Sequence, residues 1–433
     1  MQVLNATAPD FAASFERLVH ARRESGNDVT RDVADIIAKV RAQGDKALAE
    51  LSIRFDGHTL SSEDDWRIPS WRCEQAYNEL DGELRDALDL AAARIRSYHE
   101  AQKPNPRDYT DNAGVRLGHW WNAVDAAGLY VPGGRAAYPS SLLMNAIPAR
   151  VAGVERLVAV TPTPKGESNP LVLAAAHIAG IDEIWRVGGA QAIAALAYGT
   201  DRIAPVDVIT GPGNAYVAAA KRRVFGKVGI DMIAGPSEIL VIADGDNDAD
   251  WIALDLLSQA EHDESAQSIL ITTDKAFGRA VSDAVDARLE TLERRAIAGT
   301  SWRENGAIIT VPDLATAAKL SNRIAPEHLE LCVADVDALS AQITHAGAIF
   351  LGQWTPEAIG DYVGGPNHVL PTARSARFSS GLSVLDFMKR TTLARMTPDA
   401  LRAIGPSAER LARSESLEAH GLSVTARLRK LND

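Results

Sequence analysis

Residues 184–224 read IWRVGGAQAIAALAYGTDRIAPVDVITGPGNAYVAAAKRRV, and this stretch decides the fold class. It places short apolar runs at 184–187 and 206–209, and each run leads through a glycine turn into an apolar helical segment. Upstream, the run at 157–160 and a helical segment at 170–179 extend the same order by one unit. A strand–helix–strand–helix order predicts a parallel sheet flanked by helices.

A second series of apolar runs follows the first, and helical stretches separate its members. These runs lie at 239–243, 268–272, 307–311, 329–333 and 348–351. We therefore predict an α/β fold with two tandem Rossmann-like parallel-sheet domains, a helical N-terminal region and a helical C-terminal tail. The predicted boundaries are 1–127 for the mainly helical N-terminal region packing on the second α/β domain, 128–236 for the first α/β domain, 237–380 for the second, and 381–433 for the tail.

The bulk composition is that of a soluble globular protein and argues against several kinds of partner. The 433 residues are 46% hydrophobic and 24% charged, and the net charge of −12 argues against nucleic acid and anionic membranes. The N-terminus shows no signal peptide and no apolar run reaches the ~20 residues of a membrane span, so we expect a cytoplasmic protein. Cys73 and Cys332 are too few for a disulfide framework or a cysteine zinc site.

Four short polar islands interrupt the apolar sequence, and each holds a histidine close to a carboxylate or an amide. They are 258–262, 326–328, 360–368 and 415–420. Imidazole together with oxygen ligands is a usual composition for a zinc site. A carboxylate beside a histidine is also the minimum set of groups for general acid–base catalysis.

The first and third islands can supply metal ligands. Gln259 and His262 are three residues apart at the end of a predicted helix, so both side chains lie on one face. Asp361 lies in a predicted glycine-rich loop after the strand at 348–351, where α/β sheets bind ligands, and His368 can line the same pocket. The alternatives are a helix cap or a surface feature for the first pair and a turn aspartate for Asp361.

The second and fourth islands raise different questions. Glu327 and His328 lie in a predicted loop, where a neutral imidazole can take a proton from an alcohol and a carboxylate can activate water. Two solvated loop residues are the alternative. His420 lies in a predicted C-terminal helix, five residues after Glu415, and a histidine in such a tail is usually a surface residue. To reach the other islands, the tail must fold back or cross to another subunit.

Two glycine turns are candidates for phosphate binding. The turns at 187–191 and 210–214 each follow a predicted strand and open a predicted helix, an arrangement that favours phosphate. The dinucleotide fingerprint G-x-G-x-x-G is absent, so the signal is incomplete. A third glycine turn, at 128–135, adds the aromatic Tyr130 and the cation Arg135.

The combination of these islands and turns resembles the histidinol dehydrogenase family along nearly the whole chain. The matching stretches are 128–134, 187–197, 211–217, 230–238, 256–262, 326–329 and 367–372. Seven ordered motifs of this length are far beyond chance. The resemblance implies an NAD-dependent, zinc-requiring oxidoreductase of histidine biosynthesis that forms a homodimer, in which the C-terminal segment completes the partner's site.

The resemblance also implies residue roles. His328 is similar to the family's general base, and Glu327 is similar to the group that activates water. The implied zinc ligands are Gln259, His262, Asp361 and His420. The implied substrate contacts are Ser237, His368 and Glu415, together with His328 and the four zinc ligands. The implied NAD contacts are Tyr130, Gln191 and Asn214.

The implied reaction is the four-electron oxidation of L-histidinol to L-histidine through L-histidinaldehyde, with two NAD⁺ and one water. A dehydrogenase of another small diol, such as a sulfonated propanediol, is the first alternative, although Glu415 suits an amino group and would repel a sulfonate. A two-lobed binding protein without chemistry and a zinc hydrolase are the others. Cys332 alternates with apolar residues in a predicted strand, so we expect a structural thiol.

Overall fold

The computed structural model describes residues 1–21, 29–133, 138–233 and 235–431. Its strands, in chain order, are β1 (Gln2–Asn5), β2 (Arg67–Ile68), β3 (Arg107–Thr110), β4 (Arg116–Ala123), β5 (Ala126–Tyr130), β6 (Arg156–Val160), β7 (Glu183–Trp185), β8 (Val208–Thr210), β9 (Gly229–Ile230), β10 (Glu238–Ala243), β11 (Gln267–Thr272), β12 (Ala307–Thr310), β13 (His328–Cys332), β14 (Ala348–Leu351) and β15 (Met388–Arg395).

The helices, in chain order, are α1 (Phe11–His20), α2 (Thr30–Gln43), α3 (Asp45–Asp56), α4 (Glu63–Trp66), α5 (Ser70–Asn78), α6 (Gly82–Ala101), α7 (Pro139–Ala152), α8 (Pro170–Ala179), α9 (Gly189–Tyr198), α10 (Ala215–Val224), α11 (Ala249–Ala260), α12 (Lys275–Leu289), α13 (Arg295–Asn305), α14 (Leu314–Ile324), α15 (Val336–Ser340), α16 (Glu357–Tyr362), α17 (Pro398–Ser414) and α18 (Glu418–Lys430).

The chain divides into two compact units. The larger unit comprises residues 1–102 and 125–387, and the smaller comprises 103–124 and 388–433. The larger unit contains both six-stranded sheets, and the smaller contains a three-stranded antiparallel sheet in the order β15-β4-β3. In the smaller unit, α17 and α18 pack against each other.

The first sheet of the larger unit has the strand order β2-β7-β6-β5-β8-β9. Its strands run parallel except β2, which pairs antiparallel with β7. Because β6 lies on one side of β5 and β8 on the other, the order of the chain reverses between β5 and β8. A crevice at the carboxyl ends of two such strands is the usual ligand site of an open parallel sheet.

The second sheet has the order β1-β12-β11-β10-β13-β14 and is parallel throughout. Here the chain reverses between β10 and β13, whose register places Ile239 opposite His328. The fold class predicted from the periodicity is confirmed, because both sheets, apart from the edge strand β2, are built from parallel strands with helices between them.

Apolar side chains from the helices cover the faces of both sheets. The first sheet packs Val158 and Ile209 against residues of α2, α3, α9 and α10. The second sheet buries Leu329 among residues of α1 and α14 on one face, and buries Val241 among residues of α11, α12 and α13 on the other. Gly128 in β5 allows a close approach, because a Cβ there would lie 2.9 Å from a methyl group of Leu196 in α9.

The apolar periodicity of the sequence does not predict several of the strands. Residues 126–130, interpreted as part of a glycine turn, form the central strand β5 of the first sheet. The N-terminal region expected to be helical also contributes β1 to the second sheet, and the tail contributes β15 to the antiparallel sheet of the smaller unit. The preference of a segment for a strand depends on the neighbours with which it pairs, so the sequence of these strands carries little signal by itself. No helix among the residues that the structure describes is long and apolar enough to cross a membrane.

Candidate active site

His328 opens β13, and its side chain is buried on one face of the second sheet. Its whole-residue exposure is 4%, and residues 328, 330 and 332 alternate with the apolar Leu329 and Leu331 along the strand. A strand sends successive side chains to opposite faces, so His328, Glu330 and Cys332 share one face. The prediction that His328 lies in a loop is wrong, since it makes the first pair of the β13 ladder with β10 and β14.

The hydrogen bonds of His328 define which ring nitrogen can act as a base. Nδ1 lies 3.0 Å from the carbonyl oxygen of Glu238, which can only accept, so Nδ1 carries the proton. Nε2 is buried and has no hydrogen-bond partner in the part of the chain that the structure describes. Burial lowers the pKa of His328 to about 4, against the opposing effect of Asp361. A neutral imidazole therefore presents an unprotonated Nε2 to the site.

Glu327 is the residue before β13, and its carboxyl group lies close to the ring of His328. Its Oε2 accepts the backbone N–H of Glu238 at 2.9 Å and lies 3.6 Å from Nδ1 of His328. Burial raises the pKa of Glu327 well above its ordinary value, although the Glu238 N–H opposes this. The backbone of Glu238 thus positions both residues, through its N–H for Glu327 and through its carbonyl for His328.

Helix α16 brings two carboxylates to Nε2 of His328. Oε1 of Glu357 lies 3.7 Å from Nε2, and Oδ1 of Asp361 lies 4.0 Å from it. Ligand atoms of the three residues all lie within 4.8 Å of one another, a geometry in which one metal ion can contact them. Oε1 of Glu357 is buried without a hydrogen-bond partner among the described residues, which marks it as facing a ligand.

Two corrections concern Asp361. The sequence predicts a loop at the carboxyl end of β14, but the residue lies in α16. Residues 352–356 turn the chain back after β14, so the helix returns to the amino ends of the strands, where His328 begins β13. The site of the second sheet therefore lies at its amino-terminal edge.

Glu357 makes hydrogen bonds with two polar side chains, those of Glu330 and Ser258. Its N–H donates to Oε1 of Glu330 at 2.6 Å, and the hydroxyl of Ser258 donates to its Oε2 at 3.0 Å. Burial raises the pKa of Glu330 well above its ordinary value and raises that of Asp255 to about 6. Burial and then the neighbouring Asp361 raise the pKa of Glu357. Such a group of carboxyl side chains holds protons or requires a cation to balance its charge.

Gln259 and His262 lie at the end of α11, as predicted. Gln259 is in the last turn of the helix, 1% exposed, and its Oε1 finds no hydrogen-bond partner within the described ranges. His262 is exposed, and its proximity contributes to the lowered pKa values of His328 and His368. It does not join the close group formed by His328, Glu357 and Asp361. The unpartnered amide oxygen and the neighbouring carboxylates fit a divalent cation.

His368 connects the second sheet to the first. Its Nδ1 donates to the carbonyl oxygen of Asp361 at 3.0 Å, which leaves Nε2 as the acceptor for the hydroxyl of Ser141, 3.3 Å away. Ser141 lies in the first turn of α7, which follows the carboxyl end of β5. The adjacent Asn367 donates to the carbonyl oxygen of Met144 at 2.6 Å. The amino-terminal edge of the second sheet thus faces the carboxyl-terminal edge of the first.

The remaining residues predicted to contact substrate lie in two places. Ser237 is half-buried, one residue before β10, and its carbonyl oxygen accepts the N–H of Gln267 at 3.0 Å. Glu415 is the residue that follows α17, and His420 lies in α18, as the sequence predicts for a C-terminal helix. Both are exposed and belong to the smaller compact unit.

The residues predicted to contact NAD follow three strands of the first sheet at their carboxyl ends. Tyr130 ends β5, and its hydroxyl accepts the N–H of Gly189 at the start of α9. Oδ1 of Asn214 accepts the N–H groups of Tyr216 and Val217 and caps α10. Gln191 is only 1% exposed. The crevice between β5 and β8 therefore has two helix N-termini with glycine turns, which fits a dinucleotide phosphate. Arg135, the cation of the third glycine turn, lies outside the described residues.

Sequence reasoning missed Glu357, Glu330, Ser141 and Glu238. Two signals were present. Glu357 and Asp361 are four residues apart after Pro356, a spacing that places both on one face of a helix. Glu330 lies two residues after His328, on the same face of an otherwise apolar strand, where a buried carboxylate is rare unless it is paired. Ser141 and Glu238 act through long-range contacts that one sequence does not reveal.

Cys332 lies on the same face of β13 as His328 and Glu330, but it is a buried thiol within the core of the second sheet. Burial, followed by the charges of Glu330 and Asp255, raises its pKa to about 12. A thiol with so high a pKa is almost wholly protonated near neutral pH and is a poor nucleophile.

Comparison with known proteins decides the family. The family model described as histidinol dehydrogenase matches residues 19–428. This chain belongs to the histidinol dehydrogenase family. The histidinol dehydrogenase of Ruegeria pomeroyi is 72% identical over 431 residues, which cover all of this chain and 99% of that protein. That of Cereibacter sphaeroides is 68% identical over 432 residues, with the same coverage.

A solved structure agrees with the sequence comparisons. The crystal structure of histidinol dehydrogenase from Elizabethkingia anophelis superposes with a TM-score of 0.95 at 36% identity and covers all of this chain and 99% of that one. The protein is therefore an oxidoreductase with the histidinol dehydrogenase fold. The family resemblance predicted from seven motifs is confirmed, and it extends over the residues that form the site.

Proposed function

We propose that this protein oxidises L-histidinol to L-histidine through L-histidinaldehyde, consuming two NAD⁺ and one water. The observation that carries the proposal is the buried, unpartnered Nε2 of His328 beside the carboxyl group of Glu327, in a chain of the histidinol dehydrogenase family. A neutral imidazole with a fixed tautomer is a ready general base. A carboxyl group beside it can act on water, so both oxidations can proceed at one site.

In the first oxidation, Nε2 of His328 takes the hydroxyl proton of L-histidinol as a hydride leaves the carbon that bears this hydroxyl. The carbonyl of Glu238 stabilises the resulting imidazolium, because it holds the Nδ1 proton throughout. Burial that lowers the pKa of His328 makes the neutral base abundant at neutral pH, and it also favours return of the proton after the step. NAD⁺, when bound, accepts the hydride.

In the second oxidation, Glu327 activates water for addition to the aldehyde, and His328 removes the proton of the hydrate as the second hydride leaves. The Glu238 N–H holds one oxygen of Glu327, so the other oxygen is available for water. Glu327 and His328 are both buried, and this burial shields the aldehyde from bulk solvent between the two steps.

We divide the binding roles between the amino-terminal edge of the second sheet and the carboxyl-terminal edge of the first. We assign zinc to Gln259, His262, Asp361 and His420, which would hold it, and when bound it would supply a fixed anchor for the nitrogen atoms of the substrate. Ser237, His368 and Glu415 orient the substrate. Tyr130, Gln191 and Asn214, in the first α/β domain proposed for 128–236, bind NAD⁺. The second domain, 237–380, carries the catalytic residues and the three zinc ligands Gln259, His262 and Asp361.

Because Glu415 and His420 lie in a separate compact unit, we propose a cytoplasmic homodimer in which the tail at 381–433 completes the partner's site. A helical segment carrying a carboxylate and an imidazole provides the two groups that the four-ligand zinc site and an amino-alcohol substrate require.

The test is the number of NADH formed per L-histidinol consumed by zinc-loaded protein, with chromatographic identification of the product. Two NADH with L-histidine as product support the proposal. NADH with another diol but none with L-histidinol would move the substrate to that diol. Product without NADH would indicate a hydrolase, and no reaction with any alcohol would favour a binding protein. The variant His328→Asn is the negative control.

A further inference from the structure

We propose that Lys221 and Asp231 are positioning residues for the dinucleotide, because they hold both backbone groups of Gly211 at the mouth of the crevice between β5 and β8. The proposal rests on the proposed use of NAD⁺ and adds two residues to those assigned to the cofactor. Both side chains are buried, with exposed fractions of 4% for Lys221 and 1% for Asp231.

The contacts converge on one peptide unit on each side of Gly211. Oδ2 of Asp231 accepts the N–H of Gly211 at 2.9 Å, and Nζ of Lys221 donates to the carbonyl oxygen of Gly211 at 2.9 Å. Lys221 and Asp231 also form an ion pair with each other. Both hydrogen bonds involve a charged group and are stronger than bonds between neutral groups.

The backbone at Gly211 has a conformation and a close contact that only glycine accommodates without strain. Its φ is +110°, and a Cβ there would lie 2.2 Å from the carbonyl oxygen of Tyr130. Tyr130 in turn accepts the N–H of Gly189 through its hydroxyl, at 3.1 Å. The two glycine turns and Tyr130 are therefore one connected structure, and the ion pair fixes the side of it that follows β8.

The placement of the pair in the chain explains its effect on the turn. Lys221 lies in α10, whose N-terminal residue follows the turn, and its side chain reaches back along the helix to Gly211. Asp231 follows β9, the strand beside β8, and its N–H donates to the carbonyl oxygen of Ile209. The turn is thus held by the helix that it opens and by the neighbouring strand. A site held in advance binds its ligand without an ordering cost.

The test uses variants in which no unpaired charge is left in the interior, because removal of one partner alone destabilises a buried pair. Lys221→Met/Asp231→Asn keeps an oxygen that can accept the Gly211 N–H, and Lys221→Met/Asp231→Leu removes both contacts. The control is Arg156→Met/Glu183→Gln. That pair, with Nε and Oε1 2.7 Å apart, lies at the amino-terminal ends of β6 and β7, away from the crevice.

We expect the Kd and the KM for NAD⁺ to rise about tenfold or more in the variant that loses both contacts and less in the variant that keeps one. The KM for L-histidinol and the zinc content should stay within about twofold of the original values, since the pair touches neither site. The control variant should lose thermal stability without a change in NAD⁺ affinity. The Kd is measured by titration calorimetry with NAD⁺.

An unchanged Kd for NAD⁺ in a folded double variant with a lower melting temperature would make the pair purely structural and overturn the proposal. Failure of the original protein to bind NAD⁺ at all would instead overturn the proposed cofactor, and this inference with it. If neither double variant folds, hydrogen exchange of the Gly211 amide in the unaltered protein decides the matter. Slow exchange before NAD⁺ is added is expected, and exchange as fast as in an exposed turn would contradict the proposal.

Discussion

Nδ1 of His328 donates a hydrogen bond to the main-chain carbonyl oxygen of Glu238, 3.0 Å away, across two neighbouring parallel strands. The strand ladder holds both residues, so the imidazole keeps one tautomer without help from a carboxylate. The backbone N–H of Glu238 donates to Oε2 of Glu327. Two residues with different proposed tasks are therefore positioned by one segment of backbone.

The first prediction concerns the base. His328→Asn should lower kcat with L-histidinol by about 10²–10⁴-fold, the usual contribution of a general base, with a smaller change in KM. The measurement is the rate of NADH formation at saturating substrate. His177→Asn, an exposed histidine in α8, is the matched control and should keep full activity. Comparable losses in both variants would contradict the assignment.

Glu327→Gln should separate the two oxidations. Its amide oxygen can still accept the Glu238 N–H, so the local structure should persist, but an amide cannot activate water. Oxidation of L-histidinaldehyde should fall by about 10²-fold or more, and oxidation of L-histidinol should fall less. Rates measured with each substrate separately test this prediction. Equal losses for both substrates would mean that Glu327 acts on a step common to the two.

The metal ligands can be distinguished from their neighbours. Asp361→Asn removes a proposed zinc ligand and should lower zinc affinity about tenfold or more, whereas Glu357→Gln lies outside the proposed ligand set and should keep one zinc per subunit. Both carboxylates lie within 4.0 Å of Nε2 of His328, so their distances alone do not separate the roles. Metal analysis after dialysis against a weak chelator provides the measurement. Zinc loss in Glu357→Gln, with zinc retained in Asp361→Asn, would make Glu357 the ligand in place of Asp361.

The thiols offer a test that depends on pKa. Burial raises the pKa of Cys73 to about 11 and that of Cys332 to about 12. The thiolate is the reactive form, so folded protein at pH 8 should react with iodoacetamide far more slowly than protein in denaturant. Mass spectrometry after alkylation measures this. Rapid modification of Cys332 in the folded state would revive a covalent role for it, and Cys332→Ala should otherwise keep most of the activity.

Two glycines with similar backbones should differ in their tolerance of alanine. Gly211 and Gly226 have φ values of +110° and +95°, so a side chain strains the backbone at both. A Cβ at Gly226 has no neighbour within 4 Å, whereas one at Gly211 would lie 2.2 Å from the carbonyl oxygen of Tyr130. Gly211→Ala should therefore cost about 1–3 kcal/mol more in the free energy of unfolding than Gly226→Ala. Urea denaturation compares them, and equal costs would show that the turn shifts freely.

The sequence by itself determined the fold class, the order of the two parallel sheets and the family. Those properties follow from apolar periodicity along continuous segments and from motifs such as 187–197 and 256–262, which are local in the chain. It also placed Gln259 and His262 at the end of a helix, because the apolar face of α11 and its cap at Asp248 lie within 15 residues of each other.

The tertiary structure decided which edges of the sheets meet and which groups surround Nε2 of His328. Asp361 was expected at the carboxyl end of β14, but α16 carries it back to the amino end, beside a residue 33 positions earlier in the chain. Glu357, the Glu238 backbone and Ser141 enter the site through contacts between distant segments. A single sequence records the residues that form such contacts, but it does not record their partners, because pairing between distant segments depends on the packing of the whole fold.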